Sequence, residues 1–560
     1  MPSRLTRRDF LKKSALAAGG GIILACTPTT PASPSPSASA QAKKGGNLVE
    51  GYVGDIRASM LPLFGGPEVA GFVINNLLYD GLLNSTANGD LQPVLAASMP
   101  TISADQLTMT FKLKSGVKWT DGRDLTADDV AFTYRVFSAP EYKEANTTRR
   151  ADFEQYMDSV TATDPSTIVF KFKKPWAPFI TFHGQYGIVP KHILGTMTAK
   201  ELNTMEFNIK PTVSNGMFKF VKWDKGQQVV LERNPNYHRT PTLLDTYTMK
   251  ILASNTAIAS ALQTGEIDMG IIDPTVVDQL KTVSHLQITD YGISAIIYLF
   301  YQLDPAKPAS KFFSDRRVRQ ALLYGLDREK MAQALFFGAA APGQSVIPSV
   351  TWAYDANVTP KYTLDKAKAE QLLDDAGWKK GASGIREKSG VPLKFELMGA
   401  TGSKPLENAV VSIQEQWKAI GVEVTPKMVD SNTISNVSTN TREYDAMVSQ
   451  RNMPQDPDPS LTWSSGNAAP GGFNTTGYKN PDVDKLIESA AAVFDQEQRK
   501  KIYSQFQNLM ATEVPGPPLF VPREIVGVNK RVQGVVGTLG TFNRLRRTLW
   551  FKDVWVTDGK

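Results

Sequence analysis

Residues 27–44 set the first limit on what this chain can fold into. From 27 to 42 the sequence is almost wholly Thr, Pro, Ser and Ala, with Pro28, Pro31, Pro34 and Pro36 spaced through it. Such a stretch has no apolar surface to bury and stays extended, so the folded body begins near Lys43. That leaves about 520 residues, enough for two to four domains at about 150 residues each. With 41% hydrophobic and 21% charged residues, the composition is that of an ordinary globular protein. Beyond Ala25 no apolar run approaches the ~20 residues that a membrane helix requires. Cys26 is the one cysteine, so the body must hold its fold without disulfide bridges.

The leader, residues 1–26, reads as an export signal. Thr6-Arg7-Arg8-Asp9-Phe10-Leu11-Lys12 is followed by a short Ala/Gly-rich apolar stretch ending in Ile23-Leu24-Ala25-Cys26. A cationic start and about a dozen apolar residues, too few to span a bilayer, describe a removable signal. The arginine pair resembles the signal of the Tat pathway, and Ala25 before Cys26 resembles a bacterial lipobox, in which the thiol is acylated and becomes the new amino terminus. The alternative is an ordinary secretory signal cut near a chance cysteine. On the lipoprotein reading, residues 27–44 tether the body to a lipid, and the protein is extracytoplasmic, anchored to the cell membrane or periplasmic. Of the net charge of +7, Arg4, Arg7, Arg8, Lys12 and Lys13 against Asp9 supply +4. The remainder is too small to argue for nucleic acid as a partner, and no basic tract with interleaved aromatics accompanies it.

From Lys43 the sequence alternates strand and helix signals. A first strand opens at Gly45-Gly46-Asn47-Leu48-Val49-Glu50. At 106–114, Leu107, Met109, Phe111 and Leu113 alternate with polar residues, which predicts a strand with one buried face. After a turn at Asp121-Gly122, Thr126 precedes Asp129 by three residues and predicts a capped helix to about Phe137. Ile168, Phe170 and Phe172 mark another strand, ended by Pro175. Longer helices are predicted at 315–324, 327–337, 365–376, 408–420, 482–493 and 497–511, with Gly325, Gly338, Gly377 and Gly421 as stops. Strands and helices without a fixed repeat imply an α/β or α+β layered fold rather than a solenoid.

The stretch 111–130, with Trp119-Thr120-Asp121-Gly122 at its centre, resembles the signature of the family 5 extracellular solute-binding proteins. These are peptide, nickel, opine and oligosaccharide binders that feed ABC importers. Further matches follow in the family's order: Asn215-Gly216-Met217-Phe218-Lys219 with 231–237, Gly265-Glu266-Ile267-Asp268, 315–322, 372–378, and Gly477-Tyr478-Lys479-Asn480-Pro481. Together they cover the body from Gly45 to about Pro522. Most of these residues read as architecture: Asp121-Gly122 as a tight turn, Thr126 as a helix cap, Asn234-Pro235 as a chain reversal, and Arg319 in a surface or interdomain ion pair. The scaffold is thereby identified, and the ligand is not.

The resemblance implies a two-lobed, periplasmic-binding-protein-like fold with an extra domain inserted in lobe one. Lobe one takes 45–82, 206–304 and 512–560, the inserted domain 83–205, and lobe two 305–511. The lobes close on a solute by a hinge motion, and the partners are the permease subunits of an ABC importer. The protein is a monomer without a cofactor. Ligand contacts are expected from loops facing the hinge: Tyr52 and Glu68 in lobe one, Gln185 and Tyr186 in the inserted domain, and Gln450, Arg451, Asn452, Trp463, Phe473 and Asn474 in lobe two. Asp456 and Asp458, flanked by prolines, read as turn residues. Peptide-binding relatives place a tryptophan and then an aspartate shortly before this Asp-Pro, and the aspartate pairs with the peptide's ammonium group. Aligned on Asp456-Pro457, those positions hold Gln450 and Met453 here. A thioether cannot neutralise a buried ammonium, so a neutral oligosaccharide competes with an oligopeptide as the solute.

An anchored hydrolase is the rival from another class. The sequence has no Gly-x-Ser-x-Gly, no His-Glu-x-x-His and no phosphate loop of the Walker type. His183, His192, His238 and His285 lack the spacing of a helix-borne metal site. No catalytic or metal-binding residue is expected. A pair of glycosidase carboxylates has no local spacing rule and stays open on this ground.

Overall fold

The computed structural model describes residues 45–56, 59–64, 69–85, 90–147, 150–453, 456–469, 471–535 and 551–557. Cys26, residues 27–44, expected to form a tether, and Glu68 lie outside the described residues.

The chain opens with β1 (Asn47–Val53) and then forms a separate four-stranded sheet from β2 (Thr101–Ile102), β3 (Thr108–Lys112), β4 (Met157–Asp164) and β5 (Thr167–Phe172), in the order β2-β3-β5-β4. In β3, Met109 and Phe111 are buried and Lys112 is exposed, as its alternation predicts. The helix Ala127–Ser138 packs on this sheet and starts where the capping pair places it, with the Thr126 N–H donating to Asp129 Oδ2 at 2.9 Å. Its Tyr134 meets Phe170 edge-on at 4.9 Å, at the centre of an aromatic core.

The remaining long strands are β6 (Phe218–Asp224), β7 (Gln228–Arg233), β8 (Thr246–Leu252), β9 (Met269–Ile272), β10 (Leu286–Gly292), β11 (Ala295–Tyr301), β12 (Lys394–Ala400), β13 (Glu423–Val429), β14 (Ala446–Asn452) and β15 (Pro518–Asn529). With β1 and the short strand Ala340–Pro342 they make one twelve-stranded sheet, whose main path runs β13-β12-β14-β11-β15-β9-β1-β8-β7-β6. β15 joins its two halves. Residues 518 and 520 pair with β11, whereas from Arg523 onward the strand pairs with β10 and β9. The other crossing, residues 292–295, lies beside it, since Gly292 pairs with Arg523. Two adjacent crossings between two α/β halves are the wiring of a two-lobed fold.

All seven residues of β11 are buried. Ile297, Leu299 and Tyr301 enter one core and Ile296, Tyr298 and Phe300 another, because the strand is covered on both faces. The run Ala-Ile-Ile-Tyr-Leu-Phe-Tyr has no alternation and so carries no strand periodicity in the sequence.

The predicted helices form with small shifts. Helix Lys404–Lys418 begins four residues before its predicted start, with a proline in its first turn. It returns the chain through Gly421, at φ 85°, where an added Cβ would lie 2.9 Å from Arg386 Cγ. Arg319 makes an ion pair as expected, with Glu513 at 3.7 Å, but its burial corrects the surface placement. It is 3% exposed rather than on the surface, and it donates to the carbonyls of Phe313 (2.7 Å), Ser314 (3.1 Å), Glu513 and Val514 (3.2 Å). A planar guanidinium can serve several carbonyls left over at two helix ends, a task no surface ion pair performs.

Candidate functional site

β14 runs alongside β11 and ends in a loop whose backbone is tied back by Met453 N–H donating to Ser294 O (2.7 Å). Where the strand ends, Tyr298 from β11 and Arg451, Asn452, Met453 and Asp458 from β14 and its loop line a small pocket. Trp463 stands behind it, 1% exposed, its ring 5.8 Å from that of Tyr298 and steeply inclined at 71°. Gly516 passes so close that an added Cβ would meet Trp463 Cη2 at 2.8 Å.

Arg451 lies with its guanidinium 5.3 Å from the centre of the Phe300 ring and donates to Thr475 Oγ1 (3.0 Å), Ser449 Oγ (3.2 Å) and Gln450 O (3.3 Å). Burial pulls its pKa down to about 10. The bond to Thr475 draws in the neighbouring Phe473, which is exposed, and Asn474, which is fully buried and donates to Ser464 O and Tyr478 O. Of the expected residues, Gln450, Arg451, Asn452, Trp463, Phe473 and Asn474 therefore share one neighbourhood. Gln450 and Asn452 are exposed and bonded to each other at 3.1 Å.

The residues expected from the first half sit differently. Gln185 is buried and spans from Ser85 Oγ, which donates to it at 2.8 Å, to Thr181 O. Tyr186 packs on Phe137 at 5.1 Å. Tyr52 is 5% exposed in the β1 core. Thr181, whose carbonyl accepts from Gln185, reaches the loop through its hydroxyl, which donates to Asp456 Oδ2. The histidines are spread over the body. His192 pairs with Asp121 and His238 with Asp80, both at 2.8 Å.

Asp456 is more than a turn residue, which corrects the sequence expectation. Its carboxylate is fully buried and takes a bidentate pair from Arg499, Nη1 to Oδ2 at 2.7 Å and Nη2 to Oδ1 at 2.8 Å. Arg499 comes from the helix Gln496–Glu513, 43 residues away, and no local pattern announces it. Asp458 caps the next turn, accepting from Ser460 N–H (2.9 Å) and Oγ–H (3.0 Å). Burial, and then the like charge of Asp456, push its pKa up to about 6.

The model of the bacterial extracellular solute-binding proteins, family 5, matches residues 90–472. This chain belongs to that family. The oligopeptide-binding protein AppA of Bacillus subtilis is 31% identical over 497 residues, 88% of this chain and 89% of AppA. Protein XP55 of Streptomyces lividans is 29% identical over 450 residues, 79% of this chain and 78% of XP55. Among solved structures, B. subtilis AppA in complex with a nonapeptide superposes with TM-score 0.81 at 29% identity, covering 92% of this chain and 100% of that one. NikZ from Campylobacter jejuni, in complex with Ni(L-His), gives 0.79 at 27% identity, covering 91% and 99%. The family 5 resemblance of the sequence and its two-lobed α/β architecture are therefore established. These relatives carry different solutes on one scaffold, so the solute must be argued from the site.

Proposed function

We propose that this chain is the receptor subunit of an ABC importer: it captures oligopeptides between its lobes, closes on them and delivers them to a membrane permease. The likeness to AppA carries this reading, because it spans nearly the whole of both chains in sequence and in structure. Two adjacent crossings at residues 292–295 and within β15 support a hinge; the inserted domain stays at 83–205, and the expected lobe bounds at 304 and 512 move to these crossings, since β11 pairs with β14. The site set is Tyr52, Glu68, Gln185, Tyr186, Gln450, Arg451, Asn452, Trp463, Phe473 and Asn474. It turns over nothing. No described helix is long and apolar enough to cross a membrane, and the anchor in this reading is a lipid on Cys26, with Tat-type export ahead of it.

Titration with a peptide library of graded length tests the reading by calorimetry and melting temperature. Binding at a hundredfold excess over Kd should stabilise the protein by about 2.7 kcal/mol, and the scattering radius should shrink. Saturation by a neutral oligosaccharide panel with no response to any peptide would overturn the peptide assignment. Release of the protein from the membrane fraction by Cys26→Ala tests the anchor, and unchanged retention would overturn it.

A further inference from the structure

Arg451, which is half-buried, differs from the buried arginines of its half. Arg328 is spent on the carbonyls of Gly343, Pro518 and Tyr362, and Arg442 on those of Asn474, Ala469 and Gly472. Arg499 holds Asp456. Each is held by the fold, although the Nε of Arg442, like that of Arg451, is buried without a partner. Arg451 reaches two hydroxyls, which can turn to other partners, and one carbonyl, that of its own neighbour Gln450. Among the described residues no carboxylate lies within ion-pair distance of it, and its buried Nε has no hydrogen-bond partner.

A guanidinium held largely away from water without a counter-charge is costly. It lines the pocket at the end of β14, with Tyr298, Met453 and Asn452 around it. The one acid on that pocket wall, Asp458, is held by Ser460, and the charges that reach it are those of Asp456, Asp152 and Arg499, not that of Arg451. An incoming carboxylate would supply what Arg451 lacks, in the two-pronged geometry that a guanidinium favours.

We propose that Arg451 is the counter-ion for a carboxylate on the captured solute, so that the cleft prefers a peptide carrying that carboxylate to its neutralised counterpart. This rests on the peptide reading above and names the class of peptide. The carboxylate is either the free carboxyl terminus or an Asp or Glu side chain.

The test is calorimetric titration of the purified full chain with four matched alanine-rich peptides. They carry Glu or Gln at one central position, each with a free or an amidated carboxyl terminus. Acid should bind about tenfold tighter than its neutral counterpart at one of the two places, the scale of one charge-assisted hydrogen bond. The pair that differs tells which source the site takes. Arg451→Gln should abolish that difference, and Arg451→Lys should keep part of it. Melting temperatures of both variants establish that they are folded. Equal binding of all four peptides by the wild type, or a preference that survives Arg451→Gln, overturns the proposal and leaves the peptide reading standing. Binding of none overturns the peptide reading and this proposal with it.

Discussion

In the half of the molecule built around β1, including the inserted sheet, the buried carboxylates and guanidiniums among the described residues are all carboxylates: Glu50, Asp80, Asp129 and Asp268. Around β11 they are arginines, namely Arg319, Arg328, Arg386, Arg442 and Arg499, with Asp456 the one buried acid. The difference follows from what each half has left unpaired. The carboxylates collect donors: Asp80 takes Tyr237 Oη–H (2.7 Å) and His238, and Asp268 takes Val49 N–H (2.9 Å) and Arg531. The guanidiniums collect carbonyls at helix carboxyl ends. Arg386 reaches Trp378 O and Ile420 O, Arg319 reaches Glu513 O and Val514 O, and Arg499 reaches Ala490 O. A helix-rich half leaves last-turn carbonyls without partners, and five donors on a planar fork can serve several at once. Cations at those ends are also favoured by the helix dipole.

The contrast is sharpest where it fails, at Asp456. Arg499→Met strands a fully buried carboxylate and should cost about 3–5 kcal/mol in urea unfolding; a loss below about 1 kcal/mol would mean that the loop simply opens to water. Next in size is a matched pair of conservative changes. Arg442→Lys keeps the charge, yet cannot span the carbonyls of Asn474, Ala469 and Gly472, so about 2–3 kcal/mol should be lost. Asp80→Asn keeps an acceptor for Tyr237 and should cost about 1 kcal/mol. Equal losses would dissolve the distinction between the two halves.

The pH dependence of Asp458 comes third. Its folded pKa is raised to about 6, so between the ordinary carboxylate range and 6 the folded state holds a proton that the unfolded state has released. Its contribution makes stability fall as pH rises through that window. Below the window both states are protonated and the penalty is absent. Discounted for its partial exposure, the effect is on the order of 2 kcal/mol. Subtracting the Asp458→Asn melting profile from that of the wild type between pH 4 and 7 should isolate it, and parallel profiles would remove Asp458 from the argument. The smallest effect belongs to the one side-chain hydrogen bond traced above from the inserted domain to the β14 loop. Thr181→Val should cost about 1 kcal/mol, and more in a peptide-saturated protein than in the free one if closure strengthens the bond.

How much of this was legible depended on the range of the interaction. β3 and the Ala127–Ser138 helix announced themselves, because alternation and a cap three residues from its partner are local signals. The β14 neighbourhood was located because its residues are close in sequence. Arg499 was not, since its partner lies 43 residues away, and β11 was not, because a strand buried on both faces has no pattern to show. Asp456 and Arg319 were misjudged for one reason: a polar residue near a proline or a helix start looks solvated until the elements packing on it are known.

By itself, then, the sequence determined the family, the alternation of strands and helices, the composition of the tether segment, and the absence of any cysteine pair to brace the body. It could do so because periodicity, caps and composition act within a few residues of the chain. The tertiary structure alone decided that one twelve-stranded sheet passes through both halves by way of β15, which buried charges find partners, and that Arg451 has no carboxylate within ion-pair distance among the described residues. Burial and counter-charge are properties of neighbours brought together by folding, and those neighbours come from strands and helices far apart in the chain.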